Sequence, residues 1–170
     1  IGSNIVQALS KKKYLIDIID KNKKNPSLNL LINKYHRGDL QNKNFTEKIL
    51  KNKYDLVIHC ASYIEVEQSV LEPLKYYKNN FISSFNLISS MIKNDCKKII
   101  FSSSAAIYGK PNRYPITENF KLKPINPYGF SKLMVEKLLA DMEKANNFKY
   151  ISLRYFNASG ANKNFGEMHN

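Results

Sequence analysis

The sequence holds only two cysteines, three arginines and six glycines in 170 residues. It also has no apolar run approaching the ~20 residues that a bilayer-crossing helix needs. Cys60 and Cys96 lie far apart, and neither has a metal-ligand partner at short spacing. That excludes a disulfide framework and a zinc-finger pattern, and with no secretory signal visible it points to free thiols in a reducing cytoplasm. Acids are scarce too: 14 Asp and Glu stand against 27 Lys and Arg, a net charge of +13. A nucleic-acid binder would use such a surplus. Here it is nearly all lysine, the poorer bidentate reader of phosphates and bases. The lysines are scattered through "SKKKY", "DKNKKN", "LKNKY" and "DCKKII", without the aromatic and arginine interleaving of RNA surfaces. With asparagine and isoleucine also plentiful, the excess reads as solvated surface under A/T-rich coding.

What is present is 43% apolar residues in alternating strand and helix patterns, enough for one domain with a core. "YLIDIID" (14–20), "KYHRGDL" (34–40), "YDLVIHCAS" (54–62), "KKIIFSSSA" (97–105) and "YISLRYF" (150–156) read as strands. "TEKILKNK" (46–53) has helical character. Val70, Leu74, Tyr77, Phe81, Phe85, Ile88 and Ile92 recur at steps of three and four and predict one long helix with these residues on one face. A proline-rich loop over 110–127 leads to Asn126 as a cap and Pro127 in the first turn of a helix reaching about Asn146. Strand alternating with helix predicts an α/β fold, a doubly wound parallel sheet with helices on both faces.

Such sheets bind ligands at the carboxyl ends of their strands. Asp20 ends one strand about 18 residues after Gly2, a spacing suited to an acid that bonds an adenosine ribose. In "NPYGFSK", Tyr128 and Lys132 are four apart on a predicted helix and share a face. An ammonium beside a phenol favours phenolate, so the expectation is a Tyr128 pKa lowered from ~10 and a general base. Ser102, Ser103 and Ser104 end a strand, where a hydroxyl can bond a reacting oxygen. Serine, tyrosine, lysine and a strand-end acid on a parallel sheet form the pattern of a hydride-transfer site.

The stretches "IGSN", "DLVIHCAS", "EPLKYYKNN", "IIFSSSAAIYG", "NPYGFSKLMVE" and "LRYFNASGA" together resemble the extended short-chain dehydrogenase/reductase family, with its Rossmann-like fold. The last two resemble its nucleotide-sugar 4-epimerase branch, which acts on UDP-glucose and UDP-galactose. The resemblance implies NAD as cofactor, a UDP-sugar as substrate, no metal, no nucleic-acid or membrane partner, and a homodimer formed through the long helices. It implies Tyr128 as catalytic base, Lys132 on the nicotinamide ribose and Ser104 on the sugar's 4-oxygen. It places Ile1 and Gly2 at the cofactor, Asp20, Lys21 and Asn22 on the adenosine ribose, and Asp39 and Leu40 beside the adenine. Cys60, Ala61, Ser62 and Asn79 would line the cofactor groove, Phe156 would close on the nicotinamide, and Asn157 would contact the sugar-nucleotide phosphates. Ile64 departs from the family, which often has a lysine there, so Tyr63, Glu65 and Glu67 read as loop solvation. Ala105 and Ala106 stand where related dehydratases carry an acidic pair.

The family pattern runs strand, Thr-Gly-x-x-Gly-Tyr-Ile-Gly, helix, and the chain opens at its last two residues. The expectation is therefore a partial NAD-binding domain (1–170) lacking the first strand, the glycine-rich turn and a C-terminal substrate domain. Four or so large apolar side chains of a central strand contribute roughly 1.5–3 kcal/mol each, which rivals a domain's total stability. The chain alone is accordingly expected to be poorly folded and inactive. Another 4-epimerase (N-acetylhexosamine or uronate), a dehydratase relative, a non-catalytic remnant and a basic RNA-binding protein stay open as alternatives.

Overall fold

The structure, a computed structural model, describes residues 1–160. It divides into two compact units, Ile1–Asp39 with the residues from Asn157 onward, and Leu40–Phe156.

In the first unit, α1 (Gly2–Ser10) buries Val6 against Leu28, with Ile16, Ile18, Leu31 and Ile32 packed around them. The strands β1 (Asp17–Asp20) and β2 (Lys34–Arg37) pair in parallel, with Asp17 opposite Lys34 and Asp20 opposite Arg37. Between them Asn25 caps a short 3-10 turn, Pro26–Leu28, by accepting the Ser27 N–H. The backbone N–H of Gly38 donates to the Asp20 carbonyl at 2.9 Å, which holds the chain leaving β2 against the end of β1.

The second unit is a parallel sheet in the order β3-β4-β5, formed by Val57–His59, Lys98–Ser104 and Lys149–Tyr155. The central β4 pairs along its whole length with β5, from Lys98 opposite Lys149 to Ser104 opposite Tyr155. Its apolar residues Ile99 and Phe101 are buried with Ile88, Met91, Val135 and Leu139, the apolar side chains whose removal from water drives the fold. The expected α/β class with parallel strands is present. The described strands form two parallel sheets, β1-β2 and β3-β4-β5, where the sequence predicted one. Among the described residues no helix is long and apolar enough to cross a membrane.

The long helix expected over 70–92 is interrupted at Glu72 and runs on from Pro73 to Lys93, with a π-helical stretch inside it. The chain forms α3 (Val66–Leu71), α4 (Pro73–Tyr76), a π-helical stretch (Tyr77–Ile82) and α5 (Ser83–Lys93). Pro73 causes the break: it lacks an N–H, and its ring drives the preceding Glu72 out of the helical region, to φ −127° and ψ 57°. The wider π turn then alters the phase of the side chains that follow. Val70, Leu74 and Phe85 of the apolar stripe are exposed and Ile88 is buried, while Ser69, Asn80, Ser83 and Ser84 are buried too. Hydrogen bonds make that burial tolerable: the Ser69 hydroxyl donates to the Val66 carbonyl and the Ser84 hydroxyl to the Asn80 carbonyl.

The helix α6 (Pro127–Asn146) starts as the sequence predicts, with Pro127 in its first turn and the Asn126 side chain accepting the Gly129 N–H at 2.8 Å. It ends at Asn147, whose left-handed φ of 52° closes the helix. Gly129 has a separate constraint, because a Cβ there would lie 2.7 Å from the Ala106 carbonyl oxygen. In the protein that carries this chain, Gly129→Ala should cost about 1–3 kcal/mol through overpacking. Asn126→Ala, which removes only the cap, should cost about 1 kcal/mol. Urea denaturation midpoints of the two variants provide the check.

Candidate active site

Helix α6 carries Tyr128, Lys132 and Glu136 at successive steps of four, so all three lie along one stripe, and all three are buried. Beneath the first two, strand β4 ends at Ser104, which begins a short 3-10 helix (Ala105–Tyr108) and accepts the Ala106 N–H on its own hydroxyl oxygen at 3.2 Å. The Ser104 side chain lies close enough to the Tyr128 phenol to favour its ionised form. The Lys132 ammonium donates to the Ser62 hydroxyl at 2.9 Å and to the Ser102 carbonyl at 2.7 Å. It also stands 5.0 Å from the ring centre of Phe101 and 5.8 Å from that of Tyr128. Tyrosine, serine and lysine thus converge on the end of β4.

The electrostatics correct one expectation. The Tyr128 pKa is raised, not lowered: burial strips the phenolate of its hydration, and the Ser104 side chain only partly offsets that. The Lys132 ammonium spends its donors on Ser62 and Ser102 and makes no hydrogen bond to the phenol among those found. Burial brings Lys132 itself down to about 8, with the neighbouring Cys60 opposing the shift. Burial also raises the Cys60 thiol, so it is protonated near neutrality. His59, bonded to the Ser84 hydroxyl at 2.8 Å, is brought to about 3 by burial and then by Lys132, and is therefore neutral.

The other residues singled out in the sequence fall as follows. Cys60, Ala61 and Ser62 form the loop leaving β3; Ser62 hydrogen-bonds to Lys132, and Cys60 interacts with it electrostatically. Asn79 is buried in the π turn and donates to the Asn80 side chain at 3.0 Å. Phe156, just past β5, is exposed. Leu40 is buried, its carbonyl accepting from the Asn86 amide at 3.2 Å. In the first unit, Ile1 is exposed, and a Cβ on Gly2 would meet nothing within 4 Å. Asp20 ends β1, exposed, with one carboxylate oxygen accepting the Asn22 N–H at 2.8 Å; Lys21 lies in that bend. Asp39 is half-buried and Asn157 exposed. A cleft of about 520 Å³ runs along β5, lined by Tyr108, Glu136, Tyr150, Ser152, Arg154 and Phe156 among others, but not by Tyr128 or Lys132.

Sequence reasoning missed Asn80. Its side chain accepts the Tyr63 N–H at 2.8 Å and donates to the Tyr63 carbonyl and to the Ser131 hydroxyl, both at 3.1 Å. It therefore clamps the backbone beside Ser62 and reaches the residue beside Lys132. The paired asparagines of "KYYKNNF", inside an otherwise apolar helical pattern, were the available signal. Tyr63 correspondingly does more than solvate a loop.

The profile of the NAD dependent epimerase/dehydratase family matches residues 1–170. The chain belongs to that family. Among this epimerase/dehydratase chain's relatives is the UDP-glucose 4-epimerase of Lactobacillus helveticus, 46% identical over 139 residues, which are 80% of this chain and 42% of that protein. That of Halalkalibacterium halodurans is 38% identical over 172 residues, covering 99% and 52%. Among solved structures, the UDP-glucose 4-epimerase of Brucella ovis in complex with NAD superposes with a TM-score of 0.89 at 36% identity, covering 95% of this chain and 50% of that one. The UDP-Glc/GlcNAc 4-epimerase of Campylobacter jejuni gives 0.87 at 36% identity, covering 91% and 50%. The chain spans about half the length of the relatives it matches.

Lys132 also shapes stability. Its folded-state pKa of about 8 lies below the ordinary lysine value of 10.5, so the folded protein loses this proton before the unfolded one does. The burial penalty is full at neutral pH, and stability rises as pH climbs from about 8 towards 10.5. Lys132→Met should flatten that rise by roughly 3 kcal/mol. The measurement is urea denaturation of variant and wild type at about pH 7 and about pH 10.

Proposed function

We propose that the protein carrying this chain is an NAD-dependent nucleotide-sugar 4-epimerase, interconverting UDP-glucose and UDP-galactose. The observation that carries the reading is the meeting of Tyr128, Ser104 and Lys132 at the end of β4. Its relatives, named as UDP-glucose 4-epimerases, support it.

The residues present fit a dinucleotide. Lys132 is a buried cation whose bonded partners are a hydroxyl and a carbonyl rather than a carboxylate, which suits an ammonium that also meets a ribose hydroxyl. Asn79, with Cys60, Ala61 and Ser62, would line the groove beside it. In the first unit, Asp20 with Lys21 and Asn22 would take the adenosine ribose, Asp39 would flank the adenine, and Ile1 and Gly2 would lie at the cofactor. When bound, NAD supplies the hydride acceptor and donor.

The chain's own residues handle the proton and the orientation. Tyr128 would take the proton of the sugar's 4-hydroxyl and later return it, while the Ser104 hydroxyl holds the same oxygen. Phe156 would help close the site, and Asn157 would meet the substrate phosphates. Burial opposes the phenolate and Ser104 favours it, so Ser104 tunes the base as well as orienting the sugar. Tyr128→Phe should abolish turnover, a loss of at least about 10²–10⁴-fold, with NAD still bound. Ser104→Ala should lower kcat and move the acid limb of its pH profile upward, because the phenolate loses a stabilising bond. A coupled UDP-glucose assay over pH tests both, and a Tyr128→Phe protein with wild-type turnover would sink the reading. UDP-N-acetylglucosamine belongs in the same assay, since the Campylobacter jejuni relative is named for both sugars.

A cytoplasmic setting, in keeping with the two free cysteines, and a homodimer belong to the same proposal. Val70, Leu74 and Phe85 on α3–α5 and Phe130 and Met134 on α6 are exposed, an apolar face that a second copy would cover. Phe85→Glu should convert a dimer into monomers in sedimentation.

A further inference from the structure

Glu136 is the third member of the α6 stripe, one turn beyond Lys132, and it does not touch Tyr128 or Lys132 among the contacts found. Its carboxylate is buried at 7% exposure and fully engaged. One oxygen accepts the Ser103 hydroxyl at 2.5 Å and the Arg154 Nε–H at 3.1 Å, and the other accepts an Arg154 Nη2–H at 2.8 Å. This two-pronged fork is the strongest geometry a carboxylate and a guanidinium can adopt, and it fixes direction as well as distance. Arg154, on β5, uses its remaining nitrogen to reach the Tyr108 hydroxyl at 2.8 Å and the Glu118 carbonyl at 3.2 Å.

The partners of this ion pair bracket Ser104. Ser103 precedes it on β4. Tyr108 closes the 3-10 helix that Ser104 itself caps through Ala106. The helix that holds the fork also carries Tyr128. Both flanks of the serine are therefore tied to one buried ion pair, and that pair is rooted in the helix bearing the tyrosine.

We propose that the Glu136–Arg154 pair, acting through Ser103 and Tyr108, is the positioning device that holds the Ser104 hydroxyl against the Tyr128 phenol. The inference rests on the reading of Tyr128 and Ser104 as the proton-transfer pair. Glu136 and Arg154 are positioning residues, since neither touches Ser104 or Tyr128 directly among the contacts found. The physical basis is that a hydrogen bond weakens steeply with small changes of angle and length, and the Ala106 N–H that the Ser104 hydroxyl accepts belongs to the same 3-10 helix whose end, Tyr108, is held by Arg154.

The test is the titration of Tyr128, isolated in the whole protein as the ultraviolet difference between each variant and the same variant carrying Tyr128→Phe. The ionisable groups on the surrounding elements are Lys132 and Glu136 on α6, Tyr108 at the end of the 3-10 helix, Arg154 and Tyr155 on β5, and His59 and Cys60 at the end of β3. Ser103→Ala leaves all of them intact. Glu136→Gln removes a negative charge, which by itself lowers the phenol midpoint, so a rise in that variant runs against the change of charge. Ser104→Ala should raise the phenol midpoint. Glu136→Gln and Ser103→Ala should each raise it in the same direction, and neither should raise it further once Ser104 is alanine. Ser103→Ala keeps the ion pair and so answers the question even if Glu136→Gln does not fold. In turnover, the same two variants should lower kcat by roughly 10- to 100-fold, as displaced catalytic groups do, with KM nearly unchanged. A phenol midpoint unmoved in Ser103→Ala, or a shift that adds in full to that of Ser104→Ala, overturns the proposal whatever happens to thermal stability. Absence of epimerase turnover in the wild type would instead overturn the functional reading and leave the titration comparison intact.

Discussion

A single ammonium, that of Lys132, constrains much of the second unit. Bringing a cation out of water costs several kcal/mol unless oxygen atoms replace its hydration. Here the replacements come from two separate strands, the Ser102 carbonyl on β4 and the Ser62 hydroxyl in the loop after β3. Both must be held in place, and the nearby packing does so. Asn80 clamps the backbone next to Ser62, Ser131 bridges Asn80 to α6, and His59 stays neutral in the same interior. Displacing any of these supports would leave a buried charge short of partners.

The same demand explains why the helical region over 66–93 turns a polar face inward. Ser69, Asn79, Asn80 and Ser84 are buried beside large apolar residues such as Tyr76 and Met91. An apolar face there would pack equally well, but it could not hold the β3 loop by hydrogen bonds. On the same segment Val70, Leu74 and Phe85 are exposed while Leu87, Ile88 and Met91 are buried.

The helix α6 unites these constraints. Its stripe reads Tyr128, Lys132, Glu136, and each residue engages β4 at a different point: the Ser104 side chain, the Ser102 carbonyl and the Ser103 side chain. Ser102 contributes its carbonyl, while Ser103 and Ser104, adjacent at the end of the strand where the chain turns into the 3-10 helix, contribute their side chains. Chemistry and architecture thus share a single helix–strand interface, in a family chain that spans about half the length of its relatives.

Much of this was legible beforehand. The strand runs, the Asn126–Pro127 start of α6, the Tyr128–Lys132 spacing and the serines closing β4 all depend on local pattern, because helix and strand periodicities and capping are set within a few residues. The expectation of a phenol with a lowered pKa failed, because desolvation depends on everything packed around Tyr128 and no spacing encodes it. The single helical face was not kept for a related reason: Pro73 and the π turn interrupt the regular helix, and the stripe is exposed at Val70, Leu74 and Phe85 but buried at Ile88. The polar pair in "KYYKNNF" marks Asn80 as unusual, but the roles of Asn80, Glu136 and Arg154 were not legible, since their partners lie 17 to 51 residues away in sequence. The sequence by itself determined the elements and the reacting residue types. Only the tertiary structure decided which polar groups are buried together, and burial is what governs their charge and their chemistry.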